Sequence, residues 1–179
     1  MKKGLLFLLV AGLGFGACDK INEIENFAVG HKFEHPVTLE IGENDPTTFI
    51  KDFPIDMSSD QEFKDNLSKI SNYTLSTFSY RVAEYTGDDN ITATGMVQFT
   101  DGVNAIGNPV DLGLINFKEM QNSGSEQDIV ISDDLKNAVQ DQLLNNDRIV
   151  VQLAGMASGK PVTAELVMSI QVEALVKVD

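Results

Sequence analysis

Val162-Thr163-Ala164-Glu165-Leu166-Val167-Met168-Ser169-Ile170-Gln171-Val172-Glu173-Ala174-Leu175-Val176-Lys177-Val178 decides the fold. Val162, Ala164, Leu166, Met168, Ile170, Val172, Ala174, Val176 and Val178 share one parity, and all are apolar. Thr163, Glu165, Ser169, Gln171, Glu173 and Lys177 take the other. Successive side chains of a strand point to opposite faces, so a period of two sustained this long predicts one strand with a buried and a wet face. A one-residue slip would turn the whole apolar set to water, so the register is fixed by burial.

Working outward, the same alternation recurs. Phe27, Val29, His31, Phe33, His35, Val37, Leu39 and Ile41 share a face against Lys32, Glu34, Thr38 and Glu40. Gly42 to Pro46 has turn composition, and Phe49, Phe53, Ile55 and Met57 mark a second strand. Between Asn72 and Thr86 the apolar parity changes from Tyr73 and Leu75 to Phe78, Tyr80 and Val82, which predicts a β-bulge. Ile91, Ala93, Val97 and Phe99 alternate after a turn at Gly87–Asn90, and Asp101-Gly102 turns the chain again. Val110 to Phe117, Asp128 to Ile131 and Ile149 to Leu153 complete about eight strands. Two short helices interrupt them. One follows Ser59-Asp60-Gln61-Glu62, a capping-box spacing, and runs to about Lys69. The other follows Ser132-Asp133-Asp134, carries Leu135, Val139 and Leu143 on one face, runs to about Leu144 and ends at Asn145-Asn146. The expected fold is all-β: an antiparallel, immunoglobulin-like β-sandwich with two short helices.

The N-terminus is organised differently. Lys2 and Lys3 precede an apolar run from Leu5 to Phe15, too short for a bilayer span of about 20 residues but of the length of a secretory apolar core. Phe15-Gly16-Ala17-Cys18 follows and holds the single cysteine of the chain. This segment resembles a bacterial lipoprotein signal, with Phe15 where the lipobox usually has Leu. The resemblance implies cleavage before Cys18 and acylation of that residue, the lipid-attachment site. Two or three acyl chains, at about 0.8 kcal/mol per buried methylene, hold a protein durably on a membrane. The expected organisation is residues 1–17 as signal peptide, 18–26 as lipidated cysteine and polar tether, and 27–179 as the sandwich. Asp19 leaves sorting open: next to the cysteine an Asp resembles inner-membrane retention in enterobacterial lipoproteins and surface export in Bacteroidota lipoproteins. The expected location is the cell envelope, on the outer rather than the inner membrane.

Removing residues 1–17 takes away Lys2 and Lys3 and no acid, which moves the formal net charge from −14 to −16. Such a surface repels phosphate backbones, so nucleic acid is excluded as a partner. With no Trp in the chain, a stacking platform for sugars would fall to tyrosines such as Tyr73, Tyr80 and Tyr85.

Candidate chemistry is sparse, and neither a catalytic residue nor a cofactor is expected. His31 and His35 have the spacing of helical metal ligands, but on a strand four residues separate them by about 13 Å. They read as hydrogen-bonded core or rim histidines. Glu43 and Asp45, and Asp88 and Asp89 beside Asn90, are acidic loop tips whose hard oxygens are candidate calcium ligands, without the EF-hand spacing. Gly155 to Pro161 superficially resembles a phosphate loop, but it has one residue too few between its glycines and Pro161 where Ser or Thr is needed. It reads as a hairpin turn.

The pattern around Leu75-Ser76-Thr77-Phe78-Ser79-Tyr80-Arg81-Val82, the helix from Asp133 to Leu144 and the long terminal strand together resemble the small single-domain β-sandwich lipoproteins of Bacteroidota. That family has no established activity. The resemblance therefore bears on the fold; the anchor and the lack of a catalytic constellation lead to the expectation of a lipid-anchored, non-catalytic envelope domain that serves an outer-membrane or surface assembly as a protein-binding accessory subunit. A binding module for a glycan or host ligand is the alternative, and a hydrolase built on His31 or His35 the third reading.

Overall fold

The computed structural model describes residues 26–178. The signal peptide, Cys18 and residues 19–25 of the tether lie outside them. Eight strands form: β1 (Asn26–Ile41), β2 (Thr48–Asp56), β3 (Ile70–Gly87), β4 (Thr92–Thr100), β5 (Ala105–Asn116), β6 (Gln127–Asp128), β7 (Arg148–Ala157) and β8 (Val162–Lys177). Asn26, placed in the tether on sequence grounds, already pairs with Lys177.

The strands make two antiparallel sheets, in the orders β1-β8-β3-β6 and β2-β7-β4-β5. This is the expected sandwich. Its connectivity follows one rule: β1 pairs with β8, β2 with β7, β3 with β6 and β4 with β5. The chain pairs as one long hairpin rolled up on itself, the connectivity of an eight-stranded jelly roll. The immunoglobulin-like likeness therefore lies in the sandwich architecture rather than in the strand order.

β8 lies inside its sheet, flanked by β1 and β3. Its even-numbered residues from Val162 to Val176 are all buried against the second sheet. Its other face is not uniformly wet, since Val167 and Ser169 are buried there as well. The bulge expected in β3 appears as a register shift between Leu75 and Thr77, with further shifts between Ile70 and Asn72 and between Val82 and Glu84. These slips let Tyr73, Phe78, Tyr80 and Tyr85 all turn inward from one strand. Phe78 meets Phe99 of the opposite sheet at 5.3 Å between ring centroids.

Three α-helices join the strands, of which the longest packs against β3, β5 and β7. α1 (Gln61–Asn66) is shorter than expected and lies between 3-10 turns at Met57–Ser59 and Leu67–Lys69. Its cap is Asp60, not Ser59: the Asp60 carboxylate accepts from the amides of Glu62 and Phe63, while the Ser59 hydroxyl donates to the Asp56 carbonyl. Ser59 is taken up in closing the preceding 3-10 turn. α2 (Phe117–Ser123) replaces the end of an expected strand and the start of an expected loop. Asn116 caps it, Gly124 ends it with a left-handed φ of 61°, and Phe117 stacks on Tyr85. α3 (Asp133–Asn146) buries Leu135, Val139 and Leu143 and is capped by Ser132, as expected. Asp147 rather than Asn145-Asn146 takes the left-handed position at its end, with φ 55°. No helix among the described residues is long and apolar enough to cross a membrane.

Candidate functional site

The outer face of the β2-β7-β4-β5 sheet carries the feature that the alternation does not explain. On its wet parity, register places Ile50 beside Ala154, Ala154 beside Met96, and Met96 beside Asp111. The next row reads Thr48, Met156, Thr94 and Leu114. Ile50 is 66% exposed, Met96 49%, Met156 52% and Leu114 70%. On one side lies the polar row Asp52, Gln152 and Gln98, in which Gln152 donates to the Asp52 carboxylate at 2.9 Å. On the other side lie Ser158, Thr92 and Asn116, with Thr92 held between the Ser158 amide and hydroxyl. A largely apolar stripe, interrupted at Thr48 and Thr94 and closed by Asp111, thus crosses all four strands between polar borders.

The stripe is concave. A groove of about 570 Å3 runs over Thr48, Phe49, Ile50, Thr94, Gly95, Met96, Ala154, Gly155 and Met156 to Pro109 and Asp111. Small residues make its floor. A Cβ on Gly155 would stand 2.3 Å from the Thr94 carbonyl and 2.5 Å from the Phe49 ring, so only glycine fits there. No Lys or Arg lines the groove. Exposed contiguous apolar surface with a polar rim marks an interaction site. What this arrangement can do chemically is bind, since no titratable group but Asp111 faces it.

The expected site residues lie elsewhere. His31 sits on the rim, its Nδ1 3.0 Å from Asp60 Oδ2, so it is tied to the cap of α1. His35 is half-buried and stacked on Phe53 at 4.8 Å, and burial pushes its imidazole below the usual histidine range. Ser58 and Ser59, which precede that cap in the chain, both donate to Asp56. Asp45 accepts from the Gly42 amide with its side chain, and its carbonyl takes the Lys160 ammonium. Asp88 accepts from the backbone and side chain of Asn90, and Asp89 is 3.6 Å from Lys118. Glu43 is an exposed turn residue. Asp45 and Asp88 shape their own turns, and among the described residues no three His, Cys, Asp or Glu side chains are placed to hold a metal. Tyr73, Tyr80 and Tyr85 are all buried, so they offer sugars no exposed platform. Gly155 to Pro161 is the end of β7 and a turn into β8, as expected.

One polar cluster escaped the sequence reading. Glu126 folds over the outer face of the β1-β8-β3-β6 sheet, accepting from the Ser79 hydroxyl and from Lys32 Nζ at 3.1 Å. Lys32 also reaches Glu34 at 3.3 Å. Ser79 and Ser169 are adjacent across β3 and β8, both buried, and Ser169 Oγ has no hydrogen-bond partner of good geometry. The Ser79 and Lys32 contacts hold the Glu126 carboxyl below its usual range, and Glu126 holds the Lys32 ammonium above its own. These contacts tie the segment that carries Glu126 to the sheet.

No family model matches the chain, and no curated protein matches it. Among solved structures, that of Desmodium yellow mottle tymovirus is similar at a TM-score of 0.38 and 11% identity, over 99% of this chain and 97% of that one. Cocksfoot mottle virus gives 0.30 and 10% over 100% and 98%, and turnip yellow mosaic virus 0.28 and 9% over 84% and 96%. Likenesses this distant say nothing about what the chain does.

Proposed function

We propose that the chain is a lipid-anchored, non-catalytic domain of the cell envelope that binds a protein partner, as an accessory subunit of an outer-membrane or surface assembly. The observation that carries the binding half is the apolar stripe on the outer face of the β2-β7-β4-β5 sheet. The anchoring half rests on the apolar run from Leu5 to Phe15 and on Cys18. The two halves fit one geometry. The tether would enter at Asn26, and β1, 16 residues at about 3.3 Å each, carries the chain to the far end before β2 begins at Thr48. The stripe, which starts at Thr48 and Ile50, therefore lies towards the end remote from the anchor, open to a partner. Tethering beside a membrane partner raises the effective concentration of both.

The test has two arms. Cys18→Ala should move the protein from the membrane fraction to the soluble one, and retention on the membrane would rule out the lipoprotein reading. Gentle solubilisation of membranes, followed by mass spectrometry, should give a stoichiometric partner with the natural chain and lose it with Ile50→Ser and Met96→Ser together. A partner kept by that variant would move the interface off the stripe.

A further inference from the structure

We infer that the occupant of the stripe is a short amphipathic α-helix of the partner protein, apolar on its docking face and bearing Lys or Arg at the end that meets Asp111. This deepens the reading of the stripe as a protein-docking surface and rests on it.

Direction decides between recognition modes. The groove runs across the strands, from Ile50 on β2 to Pro109 and Asp111 on β5. An added peptide strand would instead run along an edge, and both edges of this sheet carry a proline, Pro54 on β2 and Pro109 on β5. Four strands at about 4.8 Å spacing, with their side chains, span about 15–20 Å. That is the length of about 10–13 residues of helix, three turns whose i, i+4 and i+7 side chains meet Ile50, the gap over Ala154, and Met96. The two methionines of the groove, Met96 and Met156, suit such an occupant, because the unbranched thioether adapts to the residue it meets.

Charge decides between occupants. The groove holds no cation and ends at Asp111, one oxygen of which accepts from the Gly113 amide at 2.8 Å while its charge stays at the surface. A second copy would set two strongly acidic chains against each other, each at a formal net charge of −16 without residues 1–17. An anionic lipid surface meets the same repulsion and faces the end that carries Asn26. A helix with a basic terminus is complementary on both counts.

The whole protein as purified, in nanodiscs of zwitterionic lipid if acylated, is titrated with two fluorescently labelled 12-residue peptides. Both place Leu at i, i+4 and i+7 of a helix; one carries Lys at its polar positions and the other Glu. Fluorescence anisotropy should show the Lys peptide binding at least tenfold tighter than the Glu peptide. Met96→Ser with Ile50→Ser should weaken it about tenfold at any salt. Asp111→Asn should shrink the preference for Lys and reduce the salt dependence. Those side chains are exposed, so thermal unfolding should be unchanged and the variants folded. Equal binding of both peptides, or binding indifferent to all three substitutions, overturns the inference. So does sedimentation showing a dimer that Met96→Ser with Ile50→Ser dissolves, or vesicle binding that the same pair abolishes. The membrane test at Cys18 does not involve these residues, so the anchor and the groove fail separately.

Discussion

Glu126 shows how much a single carboxylate can hold. Its loop crosses the outer face of a sheet, and its contacts are the Ser79 hydroxyl and the Lys32 ammonium. Glu126→Ala would leave the buried Ser79 hydroxyl without its acceptor. An orphaned buried hydroxyl costs about 1–3 kcal/mol, and the partial exposure of Glu126 puts the loss at the low end, about 1 kcal/mol by urea unfolding. The sign with pH follows from the depressed carboxyl. The contribution is whole above the ordinary Glu value of about 4.3 and is lost as pH falls through the lower folded value. His35 acts in a higher window. Its folded-state imidazole is harder to protonate than in the unfolded chain, so the unfolded state binds more protons below about pH 6.5. Stability should therefore fall as pH drops from 7 towards 5, and His35→Phe, which keeps a ring on Phe53, should flatten that part of the curve. An unchanged slope would mean that another group titrates there.

At the scale of elements, burial on one parity is what made strands legible. β8 could be read residue by residue because every even position from Val162 to Val176 is buried between two sheets. Val172→Asp should therefore unfold the domain, since it places an unpaired charge at a fully buried site; a cooperative unfolding transition like that of the natural chain would show the inward face to be misassigned. Gly155→Ala belongs to the same scale. The clash with the Thr94 carbonyl involves backbone, so β7 and β4 must move apart, and a loss of several kcal/mol by thermal unfolding is expected. Short helices were less legible. The cap of α2 was present in Asn116 and Glu119, and its stop in Gly124, but seven residues cannot display a 3.6 period after the apolar run of β5. The stripe was missed for the opposite reason. Ile50, Met96 and Met156 sit on the polar parity of their strands, where each alone looks like scatter. Only the register, which no single strand contains, lines them up.

For the whole molecule, the nested pairing sets the order of events. Asn26 lies opposite Lys177, so the outermost pair of strands joins the two ends of the described chain. β8 is also the bridge by which β1 reaches β3. Non-local pairing of this kind requires large loops to close before contacts reward them, which places folding in milliseconds to seconds rather than microseconds. It also means that the chain cannot complete its first sheet until its last strand exists. The three tyrosines are buried and the chain has no Trp, so tyrosine fluorescence and near-ultraviolet circular dichroism report core formation without interference. Refolding from urea should give one phase in that time range, carrying all three tyrosines inward together. A chain ending at Ala157 should show no cooperative urea transition, because β1 and β3 would each lose the strand between them. A truncated chain that still unfolds cooperatively would mean that the β2-β7-β4-β5 sheet stands with its helices alone. The stripe on that sheet would then survive the loss of β8, and peptide binding would persist in the truncated chain.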